Sequence, residues 1–154
     1  MKKWLLLAGI LASSVMAQGP VFKTYCNARF AFCIDYPSGL VMQARPDNND
    51  GRTFKSKDSK VQMLVYGSNN SLMEKLETRF LAESTSRDTR KVTYKLFKAD
   101  SFVISGLEHG KVFYEKVLFK NDEYKTFLIS YPTALKKIYD PITAKITVSF
   151  KHSE

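Results

Sequence analysis

Two cysteines, Cys26 and Cys33, constrain this chain more than any other feature, because they flank the first residues of a strand-like pattern and are the only pair available. In Arg29-Phe30-Ala31-Phe32-Cys33-Ile34-Asp35-Tyr36-Pro37, the residues Phe30, Phe32, Ile34 and Tyr36 recur at a period of two. Ala31, Cys33 and Asp35 take the other face. That alternation predicts a strand with one side in a core. Pro37 ends it, having no N–H to give to a ladder. A single pair of cysteines in an exported chain forms a structural disulfide, and Cys26–Cys33 predicts a hairpin stapled to this strand. The C-x6-C spacing in a strand differs from the C-x-x-C at a helix start that marks redox pairs.

Export is read from the first seventeen residues. Lys2 and Lys3 form a positive start, Trp4 to Leu11 an apolar run, and Val15-Met16-Ala17 a cleavage region, so residues 1–17 are expected to be a signal peptide and 18–154 a single domain. The apolar run is shorter than the ~20 residues a bilayer span needs. No later stretch is apolar enough to span, so a soluble periplasmic or secreted protein is expected.

The whole chain carries 24 Lys and Arg against 15 Asp and Glu, a net +9. Removing Lys2 and Lys3 leaves a net +7. Outside the cytoplasm such a charge meets acidic envelope polymers, lipid head groups or exported proteins rather than nucleic acid. The plain alternative is a solubility feature. A hydrophobic fraction of 44% and an aromatic fraction of 13% supply a real core and exclude disorder as a description of the whole.

Further along, Leu40 to Gln43, Arg52 to Ser56 and Lys60 to Tyr66 read as extended segments, with 46–51 a polar loop and Gly67 to Asn70 a break. Ser71-x-x-Glu74 reads as a capping box opening a helix with a stripe of Leu72, Met73, Leu76, Phe80 and Leu81. Strands are expected at 92–97, 101–105, 111–120 and 124–131, an antiparallel meander with turns at Gly106 to Gly110 and Asn121 to Glu123. Pro132 to Tyr139 reads as helix, and Asp140-Pro141 as the N-cap and first residue of another, with Ile142, Ile146, Ser149 and Phe150 on one face and Lys145 and Lys151 toward its C-terminal end. The fold class is α+β: a twisted, mostly antiparallel sheet with one middle helix and C-terminal helices packed on it.

Tyr25, Arg29, Phe30, Phe32, Tyr36 and Pro37 at the start, a middle helix after a Tyr-Gly strand end, the meander, and Ser149-Phe150 at the close resemble the PsbP-like fold, that of the extrinsic photosystem II subunit and of many small exported bacterial proteins. The resemblance spans most of the chain. It departs where the family often carries a tryptophan shortly after Tyr-Pro, since here that place is Leu40. It implies a non-enzymatic binding or assembly role and transfers no site residue.

Motifs for catalysis and metal binding are incomplete. Asp47-Asn48-Asn49-Asp50-Gly51 has the oxygen ligands of a calcium loop, but aligning Gly51 with the motif glycine puts Pro46 at the first ligand and Lys57 at the last. His109 and His152 lack partners at zinc-ligand spacing. Ser105 lacks the G-x-S-x-G frame, so with His109 it makes no nucleophile–base pair. Asp35 and Glu115 form an acid/base pair only if the fold joins them. No catalytic, metal or cofactor residue is assigned.

The remaining candidate is a face for an anionic partner: Arg87, Arg90, Lys91 and Lys95 from one segment, joined by Lys111, Lys116 and Lys125 from the meander, with Tyr94, Tyr114 and Tyr124 beside them. Lysines guarding an edge strand are the plain alternative. The leading expectation is a non-enzymatic exported binding domain with an envelope component or exported protein as partner. The alternatives are an inhibitor or immunity-type protein acting through Gly106 to Gly110, and a small hydrolase or metal-dependent enzyme.

Overall fold

The computed structural model describes residues 19–153, so the expected signal peptide lies outside the described residues. The chain opens with the hairpin β1 (Phe22–Asn27) and β2 (Phe32–Pro37). Cys26 and Cys33 sit directly opposite each other in its register and are disulfide-bonded. The alternation holds: Phe30, Phe32, Ile34 and Tyr36 are all buried. The strand itself begins later than its pattern. Asn27 is buried in the turn and accepts from the Phe30 N–H (3.0 Å), and Ala31 turns with φ +44°. Phe30 still enters the core, its ring against Gly67, where any Cβ would collide with it.

Next come β3 (Val41–Met42), β4 (Gly51–Lys55), β5 (Gln62–Asn69), the helix α1 (Leu76–Glu83), and the meander β6 (Arg90–Lys98), β7 (Ser101–Glu108), β8 (Lys111–Lys120) and β9 (Glu123–Pro132). A short 3-10 turn (Thr133–Leu135) leads into α2 (Lys136–Ser149), and β10 (Lys151–His152) ends the chain. Seven strands form one antiparallel sheet in the order β3-β4-β5-β9-β8-β7-β6, and β1-β2-β10 form a small second sheet. This is the α+β architecture expected, with one addition. The two halves of the large sheet join through β5 and β9, a pairing between strands far apart in sequence.

The two faces of the large sheet are covered differently. On one, α2 and the small sheet bury Phe32, Phe54, Phe127, Ile129, Ile146 and Phe150. Side chains of this size each contribute roughly 1.5–3 kcal/mol when fully buried. On the other face α1 lays Leu76 and Phe80 over Phe102, Ile104, Phe113 and Val117.

Several local expectations are corrected. The capping box does not form: α1 begins at Leu76, and Asn70 holds the preceding loop by accepting from the Glu74 N–H (2.9 Å) and donating to the Glu74 carbonyl (3.0 Å). Leu72 and Met73, placed in the core stripe, are 87% and 86% exposed because they precede the helix. The C-terminal helices are one, with Pro141 inside α2 and Asp140 bound to the Tyr131 hydroxyl (2.7 Å) and the Lys136 ammonium (2.6 Å) instead of capping. Lys151 lies beyond that helix, in β10 opposite Cys33. The break expected at Gly67 to Asn70 falls late, since β5 runs to Asn69.

The turns are tight. His109-Gly110 joins β7 to β8 with φ +48° and +76°, and Asn121-Asp122 joins β8 to β9 with φ +55° and +57°. Such left-handed pairs match the twist of a two-residue hairpin. The segment Gly106 to Gly110 is therefore not a loop, and Gly106 belongs to β7. A Cβ on Gly106 would stand 1.9 Å from the Lys91 carbonyl oxygen, and Lys91 lies next to a bulge in β6. The register slips between Val92 and Tyr94, leaving Thr93 as the extra residue.

Candidate binding face at the sheet edge

The bulge at Thr93 sorts the basic residues. Before it, Arg90 and Val92 oppose Glu108 and Gly106; after it, Tyr94, Leu96 and Lys98 oppose Ser105, Val103 and Ser101. Arg90, Val92, Lys95 and Phe97 therefore point to the α1 side, and Lys91, Tyr94, Leu96 and Lys98 to the α2 side. An unbroken period of two would have kept Val92, Tyr94 and Leu96 on one side.

Arg90 is an internal residue. Its guanidinium lies 2.8 Å from Glu115 and 3.6 Å from Glu108, over the Phe113 ring. Glu115 is buried among these groups and close to Glu83. Burial and Glu83 push its carboxyl up to about 7, against the downward pull of Arg90. Arg79 joins the cluster from α1, bonded to Glu83 (2.6 Å).

Lys116 and Lys125 are also occupied. Lys116 donates to the carbonyls of Thr147 (2.8 Å) and Phe150 (3.0 Å), where a cation meets the negative end of α2. Burial, then Lys98, lowers its pKa. Lys125 has a side chain only 5% exposed, near Glu123 and in contact with His152. Lys111 reaches the Lys60 carbonyl. Arg87, Lys91 and Lys95 remain exposed. The seven basic residues do not gather on one face. Tyr94 and Tyr114 share the α2 side, whereas Tyr124 lies on the α1 side with its hydroxyl on the Glu74 carbonyl (2.9 Å).

The α2 side of β6 and β7 is nonetheless distinctive. Helix α2 packs on β2, β8 and β9 and stops short of the edge. Tyr94, Leu96 and Leu107 are left 51%, 40% and 41% exposed, with Lys91 and Lys98 on the same side of β6. Toward α2 this surface drops into a cleft of about 390 Å³ lined by Tyr94, Ser105, Tyr114, Tyr131, Thr143 and Thr147. Burial raises the pKa of Tyr114 and of Tyr131, so both hydroxyls stay protonated at neutral pH. At the rim, burial would raise the Asp140 carboxyl, but Lys136 and Tyr131 outweigh it and hold it low. The mouth thus carries a closed ion pair. The exposed apolar residues of this face are hidden at the level of sequence, because they become neighbours only through the β6–β7 register.

The enzymatic candidates are dispersed. Ser105 donates its hydroxyl to the Phe113 carbonyl (2.7 Å), and His109 sits in the exposed turn beyond the strand end. Asp35 lies in the small sheet, paired with Thr24 (2.7 Å), while Glu115 faces α1 across the large sheet. The 46–51 loop is tied to the hairpin turn, with Arg29 donating to the Asn48 carbonyl and Asn27 to that of Asn49 (3.0 Å). No group of three or more metal-ligating side chains occurs among the described residues, and no described helix is long and apolar enough to cross a membrane.

Solved structures place the architecture. The chain is similar to cyanobacterial PsbP (CyanoP) from Synechocystis sp. PCC 6803, with a TM-score of 0.59 at 13% identity over 94% of this chain and 99% of that one. It has the PsbP-like fold. It is also similar to the Ran-binding protein Mog1p of Saccharomyces cerevisiae, with a TM-score of 0.57 at 10% identity over 88% of this chain and 97% of that one. No protein-family model and no curated protein sequence matches. At these identities the likeness speaks for the PsbP-like fold and not for a shared partner.

Proposed function

We propose that the chain is a non-enzymatic exported domain that binds a protein partner in the cell envelope through the α2 side of β6 and β7. One observation carries this reading: Tyr94, Leu96 and Leu107 are exposed together on one side of a sheet edge, with Lys91 and Lys98 alongside. Isolated exposed apolar residues are ordinary, but a contiguous patch with a polar rim is the mark of an interaction surface. Aromatic residues within such patches carry much of the binding energy, and rim lysines set approach and salt dependence. The Cys26–Cys33 disulfide supports an oxidising compartment, as does the composition of residues 1–17. The Mog1p likeness adds a protein-binding example of the same fold.

The test is co-sedimentation of the chain from Gln18 onward with isolated envelope material across a salt series. Binding should fall with salt, and Tyr94→Ala with Leu96→Ser should weaken it about tenfold or more while circular dichroism and melting temperature stay unchanged. Envelope binding indifferent to this pair would move the site elsewhere on the molecule.

A further inference from the structure

Resting on that reading, we infer that the partner docks by adding a strand to β6, and that the added segment is short, extended and acidic. β6 ends the seven-stranded sheet and, among the described residues, is paired only with β7. Half of the backbone N–H and C=O groups of an edge strand point away from its single neighbour, a ready template for another chain. The structure shows which part of this edge is already used. The loop before β6 folds back on it: the Val92 N–H donates to the Ser86 hydroxyl (3.1 Å), and Arg87 and Arg90 exchange backbone hydrogen bonds (2.8 and 3.0 Å). Past the bulge, from Tyr94 to Lys98, no such loop covers the edge among the described residues. At the other end of the sheet, β3 is only two residues long.

The side chains of the open stretch select the occupant. Edges that proteins guard carry lysines, prolines or bulges, and Lys95, Lys98 and the bulge at Thr93 guard this one in part. Tyr94, Leu96 and Phe97 nonetheless stand on it, each 40% exposed or more. They lie on both sides of the sheet: Tyr94 and Leu96 toward α2, and Phe97 against Phe80 (ring centroids 5.0 Å) toward α1. An added strand would alternate its side chains between those two sides and cover both sets at once. Lys95 and Lys98 are distributed in the same way, one to each side. They are two of the cations the structure leaves exposed, whereas Arg90, Lys116 and Lys125 are consumed internally. An acidic segment with interspersed apolar residues satisfies all of these groups, and a span of about five residues matches the open edge. A basic segment would place like charges against Lys95 and Lys98.

The test uses a labelled ten-residue peptide of alternating Glu-Glu and Val-Val pairs, which puts both residue types on each side of a strand, and the same peptide with successive central backbone nitrogens methylated, so that neither strand edge can donate. Methylation removes ladder donors and keeps every side chain. Binding to the chain from Gln18 onward is followed by fluorescence anisotropy at low and moderate salt, and amide exchange of residues 94–98 by NMR. The expected result is salt-sensitive binding of the first peptide, slowed exchange confined to β6, and at least a tenfold loss on methylation. Equal binding of both peptides would overturn strand addition while leaving the exposed face as a docking site. Strand addition would likewise fall, and the docking face stand, if neither peptide bound but envelope co-sedimentation still depended on Tyr94 and Leu96. Exchange protection at 94–98 that rises with protein concentration without peptide would replace the acidic partner with a second copy of the chain.

Discussion

The ammonium of Lys125 lies 2.8 Å from Nδ1 of His152, at the seam where the last strand meets the body of the protein. The imidazole accepts there, so it must be neutral. Burial, then the charge of Lys125, lowers its pKa. The unfolded chain binds a proton near pH 6.5, and the folded chain only at lower pH. Stability contributed by this contact is thus present above about pH 6.5 and is lost as pH falls toward the folded value. Urea melts of the native chain should weaken between pH 7 and pH 5, and His152→Gln should flatten that decline.

Glu115 has the opposite sign. Its carboxyl titrates at about 7 when folded and near 4.5 when unfolded. The folded state favours the proton, so stability falls as pH rises from about 4.5 through 7. Glu115→Gln removes this slope. The substitution also leaves Arg90 with Glu108 as its carboxylate, so the informative quantity is the shape of the stability–pH curve and not its height. The windows of His152 and Glu115 overlap, and the two variants separate them.

Lys116 ties a central strand to the end of α2. Lys116→Met keeps the stem and deletes two charge-assisted hydrogen bonds, leaving the carbonyls of Thr147 and Phe150 short of a donor. A loss of about 2 kcal/mol is expected in chemical denaturation. Hydrogen exchange should rise first in residues 146–150.

Replacing Cys26 and Cys33 together by alanine opens a short covalent loop. The unfolded chain gains freedom worth about 2–3 kcal/mol by loop-closure arithmetic. The β1–β2 register and the buried Phe32 and Ile34 should survive, so the variant melts earlier with an unchanged native NMR fingerprint. A collapse of that fingerprint would show that the hairpin depends on the disulfide for its geometry.

How much of the fold is legible in the sequence depends on the range of the signal. The buried face of β2 and the Ile142–Ile146–Phe150 face follow from local periodicity, and both stand. So does the meander, because two-residue turns leave neighbouring strands no other place to go. Signals that depend on geometry beyond a few residues are hidden. Thr93 looks like any strand residue, yet as a bulge it puts Val92 and Tyr94 on opposite sides of the sheet. Ser71 and Glu74 have the letters of a capping box, but the Asn70 side chain takes the Glu74 backbone first. Asp140-Pro141 has the letters of a helix start, but Tyr131 and Lys136 claim the carboxylate and the helix runs through. The candidate face is half legible. Lys91 and Tyr94 stand out by their clustering, whereas the placement of Lys95 on the other side, and the diversion of Arg90, Lys116 and Lys125 into internal bonds, emerge only when their partners are placed in space.

The placement of β10 has a consequence for the order in which the molecule can be completed. The hairpin at the beginning of the chain lacks its third strand, and Phe32 lacks the ring of Phe150, until Lys151 and His152 arrive from the other end. Contacts this distant in sequence form late and slowly. A chain emerging residue by residue therefore holds an unfinished core until residues 150–152 are free. Premature closure is disfavoured by the topology itself.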